Sequence, residues 1–492
     1  MLGVTKSLRF EAVSFVTGAV VLTFELTASR IVSPYIGTTI YTWTSVIGGI
    51  LAGLAVGYYL GGYLADKYRQ PKQVVWLLCT SALLLVTVNL YKDWFLSNLS
   101  HLDIGLRWIA LLATLGLFLL PTVLMGAITP YLTRLSLENI RTSGYHIGRI
   151  SAASTAGSLF GTFVTGYVLF GFIGTRNILN LLAILLLLSS FVVNTSFFVL
   201  RIAIVLIVLL DMNYSPKAHI AGLVDDLDSG YNRIQVIDKM LGNRPVRVYQ
   251  TEALGYESGV FLDNGGELAF DYIRSMSYAA EFAPVDGQYL MVGGGALTLP
   301  AYLAHSHPRA NIDVVEIDGK VTQIARDYFG LGNEPNLHTI EADGRQFLNN
   351  NQRKYDYIAI DAFSSIAPPF QLTTQEAVGH INDSLNQDGV VAVNLGSAVK
   401  GPRASFAEDE YRTFKELFNQ VYIFKVRPNY NPYKLQNLLL IASRHQLSFK
   451  IPASVNPEAA SIFSKSVAVN IQEARVLTDD YAPVERLVTS SL

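Results

Sequence analysis

The sequence predicts two folds in one chain, a helical membrane bundle followed by an open α/β sheet. Three observations predict it. Apolar residues are concentrated in repeated runs from Phe10 to Leu210, after which the chain reads as an ordinary globular protein. Several of those runs reach the roughly 20 apolar residues that a helix needs to span a bilayer. From Gly287 onward, strand-like and helical segments alternate, the pattern of a parallel sheet with crossover helices. A length of 492 residues is too much for one ordinary domain. The boundaries fall at 1–214 for the bundle, 215–285 for a small β-hairpin subdomain and 286–492 for the α/β domain.

Composition supports the split and removes other classes. Half of the residues are hydrophobic and 15% are charged, and mean hydropathy is +0.32, a balance that fits a chain shared between lipid and water. A formal charge of −2 leaves no basic face to neutralise phosphates, so nucleic acid is not an expected partner. The lone cysteine, Cys79, excludes an internal disulfide and a Cys-based metal site; in its apolar run it reads as a small buried hydrophobe. The first apolar run is long enough to span and others follow it, so no cleavable signal is read there.

Candidate spans are Phe10–Val32, Thr42–Leu64, Val74–Leu90, Trp108–Leu132, Ile150–Phe172, Asn177–Val193 and a shorter Phe197–Leu210. Pro121 and Pro130 predict a kink or break in the fourth. In the second, Gly49, Gly53, Gly57 and Gly61 recur every fourth residue, a stripe that lets another helix backbone approach closely in lipid. Glu25 and Arg30 lie inside the first span. Charge at that depth is costly, so the two are expected to form an ion pair or to line a polar cavity for a cationic ligand.

Basic residues flank the spans on one side: Lys6 and Arg9, then Lys67, Arg69 and Lys72, then Arg134, Arg141 and Arg149. The positive-inside rule puts the N-terminus in the cytoplasm. Seven full crossings would then leave the soluble half outside. A cytoplasmic soluble half is expected instead, with Asn177–Leu210 as a re-entrant hairpin or as one crossing plus an interfacial helix.

Beyond Ser215 and Pro216, Arg233–Asp238, Val246–Gln250 and Gly259–Leu262 read as strands around the turns Gly242-Asn243 and Asn264-Gly265. The α/β domain follows. Gln288–Val292 is a buried strand ending in Gly293-Gly294-Gly295, and a helix opens near Thr298 with Pro300 in its first turn. Asn311–Ile317, His338–Ala342 and Tyr355–Ile360 are the next strands, with Glu316, Asp343-Gly344 and Asp361 at their ends. Thr373 and Glu376 have capping-box spacing before the next helix. Gly389–Leu395, Val421–Val426 and Leu438–Ala442 complete the sheet.

In open α/β sheets, ligands bind beyond the carboxyl ends of the strands, at a switch point. Three glycines there allow a tight turn and a close backbone approach. Glu316 follows at about the 20-residue separation at which an acid accepts hydrogen bonds from ribose hydroxyls. Asp343 and Gly344 can meet an adenine amino group, and Asp361 points into the same cleft. The turn lacks GxGxxG, which favours a single adenosyl group over a dinucleotide. No HExxH, GxSxG or Walker A pattern stands where its chemistry requires, and no metal is expected. His305 and His307, two apart on a helix, read as surface residues.

The runs LMVGGGALTL, VVEID, EADGRQFL and YDYIAIDAF with PPFQLTTQEA resemble spermidine synthases and their membrane-fused relatives. FELTASRIVSPYIG, GYYLGGYLADK, LMGAITP and the closing LTDDYAPVE are similar to the fused group, so the resemblance covers nearly the whole chain. It implies a Rossmann-like fold of the class I S-adenosylmethionine type and transfer of an aminopropyl group from decarboxylated S-adenosylmethionine to an amine such as putrescine. By the same resemblance, Glu316 holds ribose, Asp343 and Gly344 hold adenine, and Asp361 orients or deprotonates the attacking amine. Tyr272 is similar to the tyrosine lining the amine site. An alkylammonium has a pKa near 10, so a neighbouring carboxylate can both bind the cation and take its proton.

Departures fall on the amine half. Ala296 stands where the soluble enzymes have an aspartate, Leu268 and Ala269 replace an acidic pair, Arg274 replaces a glutamate and Asn232 a glutamine. Arg274 is expected to repel a dication. Two other readings stand beside the transferase: a methyltransferase using S-adenosylmethionine, which Met291 before the glycines disfavours, and a transporter or sensor with a nucleoside-binding domain. The expected partners are a small-molecule amine and the lipid bilayer. The sequence leaves the oligomeric state open and is compatible with a homodimer.

Overall fold

A computed structural model of the chain describes residues 2–102, 104–137, 143–213, 221–251, 255–263, 267–362, 368–452 and 454–489. Arg141, the boundary at Ser215 and Pro216, and the turn Asn264-Gly265 lie outside these residues. The chain divides into two compact units, Met1–His219 with Leu227–Arg233, and Ile220–Asp226 with Ile234–Leu492.

The first unit is helical: α1 (Leu2–Ile36), α2 (Ile40–Tyr68), α3 (Pro71–Ser100), α4 (Leu106–Ser136), α5 (Ser143–Val164), the one-turn α6 (Phe170–Phe172), α7 (Thr175–Val193) and α8 (Phe198–Asn213). A π-helical turn, Thr165–Leu169, joins α5 to α6. Six helical stretches among the described residues are long and apolar enough to cross a membrane, the last ending at Val193. Of the expected kink or break in α4, the break is absent: the helix runs continuously through Pro121 and Pro130. Neighbouring helices tolerate such prolines by re-satisfying the backbone groups they free. The glycine stripe of α2 is buried against α4: a Cβ at Gly57 would lie 2.4 Å from the Val123 carbonyl, and one at Gly61 2.3 Å from that of Ala127.

Polar side chains order the ends of this bundle. Arg149 at the start of α5 pairs with Glu11 near the start of α1. Arg134 at the end of α4 pairs with Asp66 at the end of α2. At the opposite end, Tyr35 donates to Asp93 at 2.8 Å, and Asp93 also accepts from Lys92 and Arg233. Asp211, buried near the end of α8, accepts from Asn89 of α3 at 2.6 Å and from Asn180 of α7 at 2.8 Å, and pairs with Arg176. α7 and α8 are therefore antiparallel arms of one hairpin, and α8 carries the chain back to the end where α7 begins. Arg30 donates to the Ser229 and Gly230 carbonyls and lies over the Phe170 ring, 3.8 Å from its centroid.

The second unit opens with a four-stranded sheet in the order β1-β2-β3-β4. Its strands are β1 (Leu223–Asp228), β2 (Arg233–Leu241), β3 (Arg244–Gln250) and β4 (Ser258–Phe261). β1, which lies before the strands that the sequence predicts, is an additional strand. The main sheet follows helix α9 (Asp271–Ala280). It is built from β5 (Gln288–Val292), α10 (Thr298–Ser306), β6 (Asn311–Glu316), α11 (Gly319–Tyr328), β7 (Leu337–Glu341), α12 (Gly344–Asn350), β8 (Tyr355–Ile360), α13 (Gln375–Asp383), β9 (Leu385–Ser397), α14 (Ser405–Lys415), β10 (Gln420–Lys425) and β11 (Gln436–Ser443). The order is β10-β11-β9-β8-β5-β6-β7. β5 to β9 are parallel, and β10 and β11 are antiparallel. This is the predicted α/β fold. Near-continuous apolar runs such as VVAV of β9 suit strands covered by helices on both faces.

Two local readings change. Thr374, not Thr373, caps α13, its hydroxyl accepting from the Ala377 amide at 3.3 Å. His307 is buried beside Tyr289, while His305 is exposed.

Candidate functional site

After β5 the chain crosses to β6 on one side and later returns to β8 on the other. The carboxyl ends of β5 and β8 thus form the switch point where open α/β sheets bind ligands. The glycine turn sits there because little else fits. Gly293 has φ +78°, and a Cβ on it would meet the Asp361 carbonyl at 2.6 Å. Gly295 is also left-handed at φ +49°, where side chains are disfavoured. Leu297, at φ 53°, carries the same strain just before α10.

Glu316 at the end of β6 reaches back to this turn. Its Oε2 accepts from the Gly294 amide at 3.2 Å and its Oε1 from the Asp318 amide at 3.1 Å. Burial pushes its carboxyl up to about 7, opposed by the Asp318 amide and reinforced by the Asp318 charge. Asp318 itself caps α11 through the Lys320 amide. At the end of β7, Asp343 caps α12, accepting from the Gln346 amide at 2.9 Å. Gly344 brings that tip against β5: a Cβ there would lie 2.5 Å from Val292 Cγ1.

Asp361 follows β8, its amide bonded to the Val292 carbonyl at 2.9 Å. Its carboxylate accepts from Asn394 Nδ2 of β9 at 3.0 Å, and Asn394 accepts in turn from Asn437 of β11 at 3.0 Å. Burial pushes this carboxyl up to about 7, the Asn394 bond lowers it and the nearby Glu316 charge raises it. Tyr272 of α9 donates to the Glu257 carbonyl. Burial, then the charges of Asp361 and Glu257, hold its phenol well above the usual range.

The sequence-predicted residues Gly293, Gly294, Gly295, Glu316, Gly344 and Asp361 are thus drawn together at the tips of β5, β6, β7 and β8, with Tyr272 on the Asp361 side. Asp343 is at the same rim, but its carboxylate turns to the α12 cap. Arg274 pairs with Glu458 and Asp271 and donates to the Leu268 and Ala269 carbonyls at 3.1 Å, so its charge is met by two carboxylates. Asn394 was missed, although it is the one polar residue within the apolar run GVVAVNL of β9. Glu257 was also missed, having no signal in an irregular stretch.

Chemically, two carboxyls that titrate near neutrality flank a turn able to admit a ligand backbone-close. One is bound to backbone amides and suits hydroxyls. The other, beside a phenol, can exchange a proton at neutral pH.

Residues 277–431 match the family described as the spermine/spermidine synthase domain. A polyamine aminopropyltransferase of Vibrio vulnificus is 28% identical over 235 residues, 44% of this chain and 75% of that one. A probable polyamine aminopropyl transferase of Bifidobacterium longum is 34% identical over 176 residues, covering 35% of this chain and 37% of that one. Among solved structures, a probable spermidine synthase from Corynebacterium glutamicum aligns with TM-score 0.45 and 19% identity over 54% of this chain and 98% of that one.

Proposed function

We infer, from a chain whose C-terminal part is a spermine/spermidine synthase domain, a membrane-bound aminopropyltransferase-like enzyme. Its donor is decarboxylated S-adenosylmethionine and its acceptor an amine such as putrescine. One observation carries the reading: Asp361, with a carboxyl near neutrality, adjoins the glycine turn while Glu316 spans that turn and the next strand. Glu316 would hold the ribose hydroxyls, Asp343 and Gly344 the adenine, and the backbone of Gly293, Gly294 and Gly295 would line the nucleoside. Asp361 would bind the acceptor ammonium and take its proton, and Tyr272 would line the amine. The freed amine attacks the carbon attached to sulfur. A C–N bond forms, the C–S bond breaks, and sulfur leaves with the electron pair as neutral methylthioadenosine.

Mass spectrometry on detergent-purified full-length chain, given decarboxylated S-adenosylmethionine and a panel of di- and polyamines, tests the reading. An aminopropylated amine with methylthioadenosine is the expected result. Absence of both with every amine sinks it. Replacing the donor with S-adenosylmethionine and finding a methylated product would instead establish the methyltransferase alternative.

The six long apolar helices support insertion in a membrane. The place of cofactor synthesis argues for a cytoplasmic α/β unit. The hairpin of α7 and α8 argues for the other side, because Asp211 and Arg176 share one end and the basic flanks mark the opposite end. α8 has 16 residues, about 24 Å of helix, short for a full crossing. A reporter fused after Asp211 decides it: cytoplasmic activity supports the enzymatic reading, and external activity removes its donor.

A further inference from the structure

We propose that the ion pair of Arg345 with Asp479 positions the adenine-side rim of the cleft and so sets its preference for the base; this rests on the aminopropyltransferase reading above. Asp479 comes from the closing LTDDYAPVE run, 134 positions beyond Arg345.

Gly344 stands at the tip of β7. A Cβ there would lie 3.8 Å from both Cδ atoms of Leu372, a buried residue of the 3-10 turn Phe370–Leu372. Arg345, the next residue, ties these parts together. Its Nη1 donates to the Gln371 carbonyl at 2.9 Å and to the Thr374 hydroxyl at 3.0 Å, and its Nε to Asn349 at 2.8 Å. Thr374 caps α13. One guanidinium therefore joins the start of α12 to the 3-10 turn and to the start of α13.

Asp479 fixes that guanidinium. The contact is bidentate, Nη1 to Oδ1 at 3.0 Å and Nη2 to Oδ2 at 2.6 Å, and Oδ1 also accepts from the Thr374 hydroxyl at 2.7 Å. The Arg345 bond is the main cause that holds the Asp479 carboxyl below the usual carboxylate range, so the pair is charged at neutral pH. The backbone that presents Asp479 is anchored on α13 and α14. Thr478 and Tyr481 exchange both backbone hydrogen bonds, at 3.2 and 3.0 Å, and close a four-residue turn. Before it, the amide of buried Leu477 donates to the Thr413 hydroxyl at 3.0 Å, and its carbonyl accepts from the Gln375 amide at 2.8 Å.

A surface ion pair adds little stability, but a bidentate fork fixes direction as well as distance. What it directs here is the rim. One Asp343 oxygen accepts from the Gln346 amide at 2.9 Å in capping α12, so the edge that adenine would meet moves with the start of that helix. Loss of the Asp479 fork loosens Arg345, and with it the bonds from α12 to Gln371 and Thr374. Hydrogen bonds that tell an amino group from a carbonyl on the base then lose their aim.

Calorimetry on the detergent-purified full chain, with methylthioadenosine and with methylthioinosine, separates positioning from a general loss of structure. In methylthioinosine a carbonyl replaces the adenine amino group. The wild-type chain should prefer methylthioadenosine by about tenfold or more, the scale of one polar group left unpaired. Asp479→Asn and Arg345→Lys, neither of which can form the charged fork, should each reduce that preference to about threefold or less. Asp479→Glu keeps the carboxylate and should recover part of it. Weakening of both ligands by one factor, or of neither, overturns the assignment, as does a wild-type chain that binds the two equally. A wild-type chain that binds neither overturns the enzymatic reading, and this inference with it.

Discussion

Two pairs of buried carboxylates, one in each unit, are treated in opposite ways. In the helical unit Asp211 is met by the Arg176 guanidinium and two asparagine amides, and Glu11 is met by Arg149. In the α/β unit the carboxylates of Asp361 and Glu316 are bonded by an asparagine amide and by backbone amides, and among the described residues neither has an ion pair with a cation. The first set of charges is complete without anything added. The second set is held at a sheet switch point, with both carboxyls raised to about 7 by burial; on the function proposed above, a ligand that brings positive charge and hydroxyls would complete it. Among these four acids, the two with cationic partners hold helices together and the two raised towards neutrality sit at the candidate site.

Substitution of one acid from each set breaks or sharpens this contrast. Asp211→Ala removes the anion from a buried cluster and leaves Arg176 without its counter-charge. A loss of roughly 3–5 kcal/mol is expected, seen as a lowered midpoint in thermal unfolding of the detergent-solubilised chain. An unchanged midpoint would mean that Asp211 is not structural. Asp361→Asn should do the reverse: fold and methylthioadenosine binding are kept, and turnover falls about 10²-fold or more, the scale of a lost general base. Unchanged turnover removes Asp361 from the mechanism.

The same carboxyl predicts a pH profile. Its folded value of about 7 lies above the ordinary 3.8 of an aspartate, so the folded protein binds this proton more tightly than the unfolded chain. The stability it contributes is fully present below about 3.8 and is lost as pH rises towards about 7. Activity moves the other way, since only the ionised form accepts a proton. kcat/KM should rise with pH through about 7, and Asp361→Asn should abolish that limb. A wild-type profile flat between pH 5 and 8 would contradict the assignment.

The main sheet was legible because short strand-like segments alternate with helical ones and are followed by glycine or acid, so Gly293, Glu316, Asp343 and Asp361 could be placed at strand tips. What escaped was what depends on contacts between distant segments. Asn394 bonds Asp361 across 33 positions, and nothing in its own neighbourhood names that partner. Nothing near Arg274 in the sequence names its counter-ion, Glu458, 184 positions away. The breaking effect of Pro121 and Pro130 was overrated, since local propensity yields when neighbouring helices support the backbone.

Glycines give the smallest and cleanest test, because the units use them differently. In the cleft, Gly293 and Gly295 are needed for their left-handed backbone. In the helices, the need is proximity, and it varies sharply with position. A Cβ at Gly157 of α5 would lie 1.9 Å from the Phe15 carbonyl of α1, a backbone atom that cannot swing aside. At Gly62 of α2 nothing lies within 4 Å. Gly157→Ala should therefore push α1 and α5 apart and cost roughly 1–3 kcal/mol, as overpacking does. Gly62→Ala meets no neighbour and replaces a poor helix former with the best one, so a gain of up to about 1 kcal/mol is expected. Thermal unfolding of the two variants in one detergent reads the difference directly. Equal shifts would show that Gly157 is not a contact point, and the close approach of α1 and α5 would then be wrong.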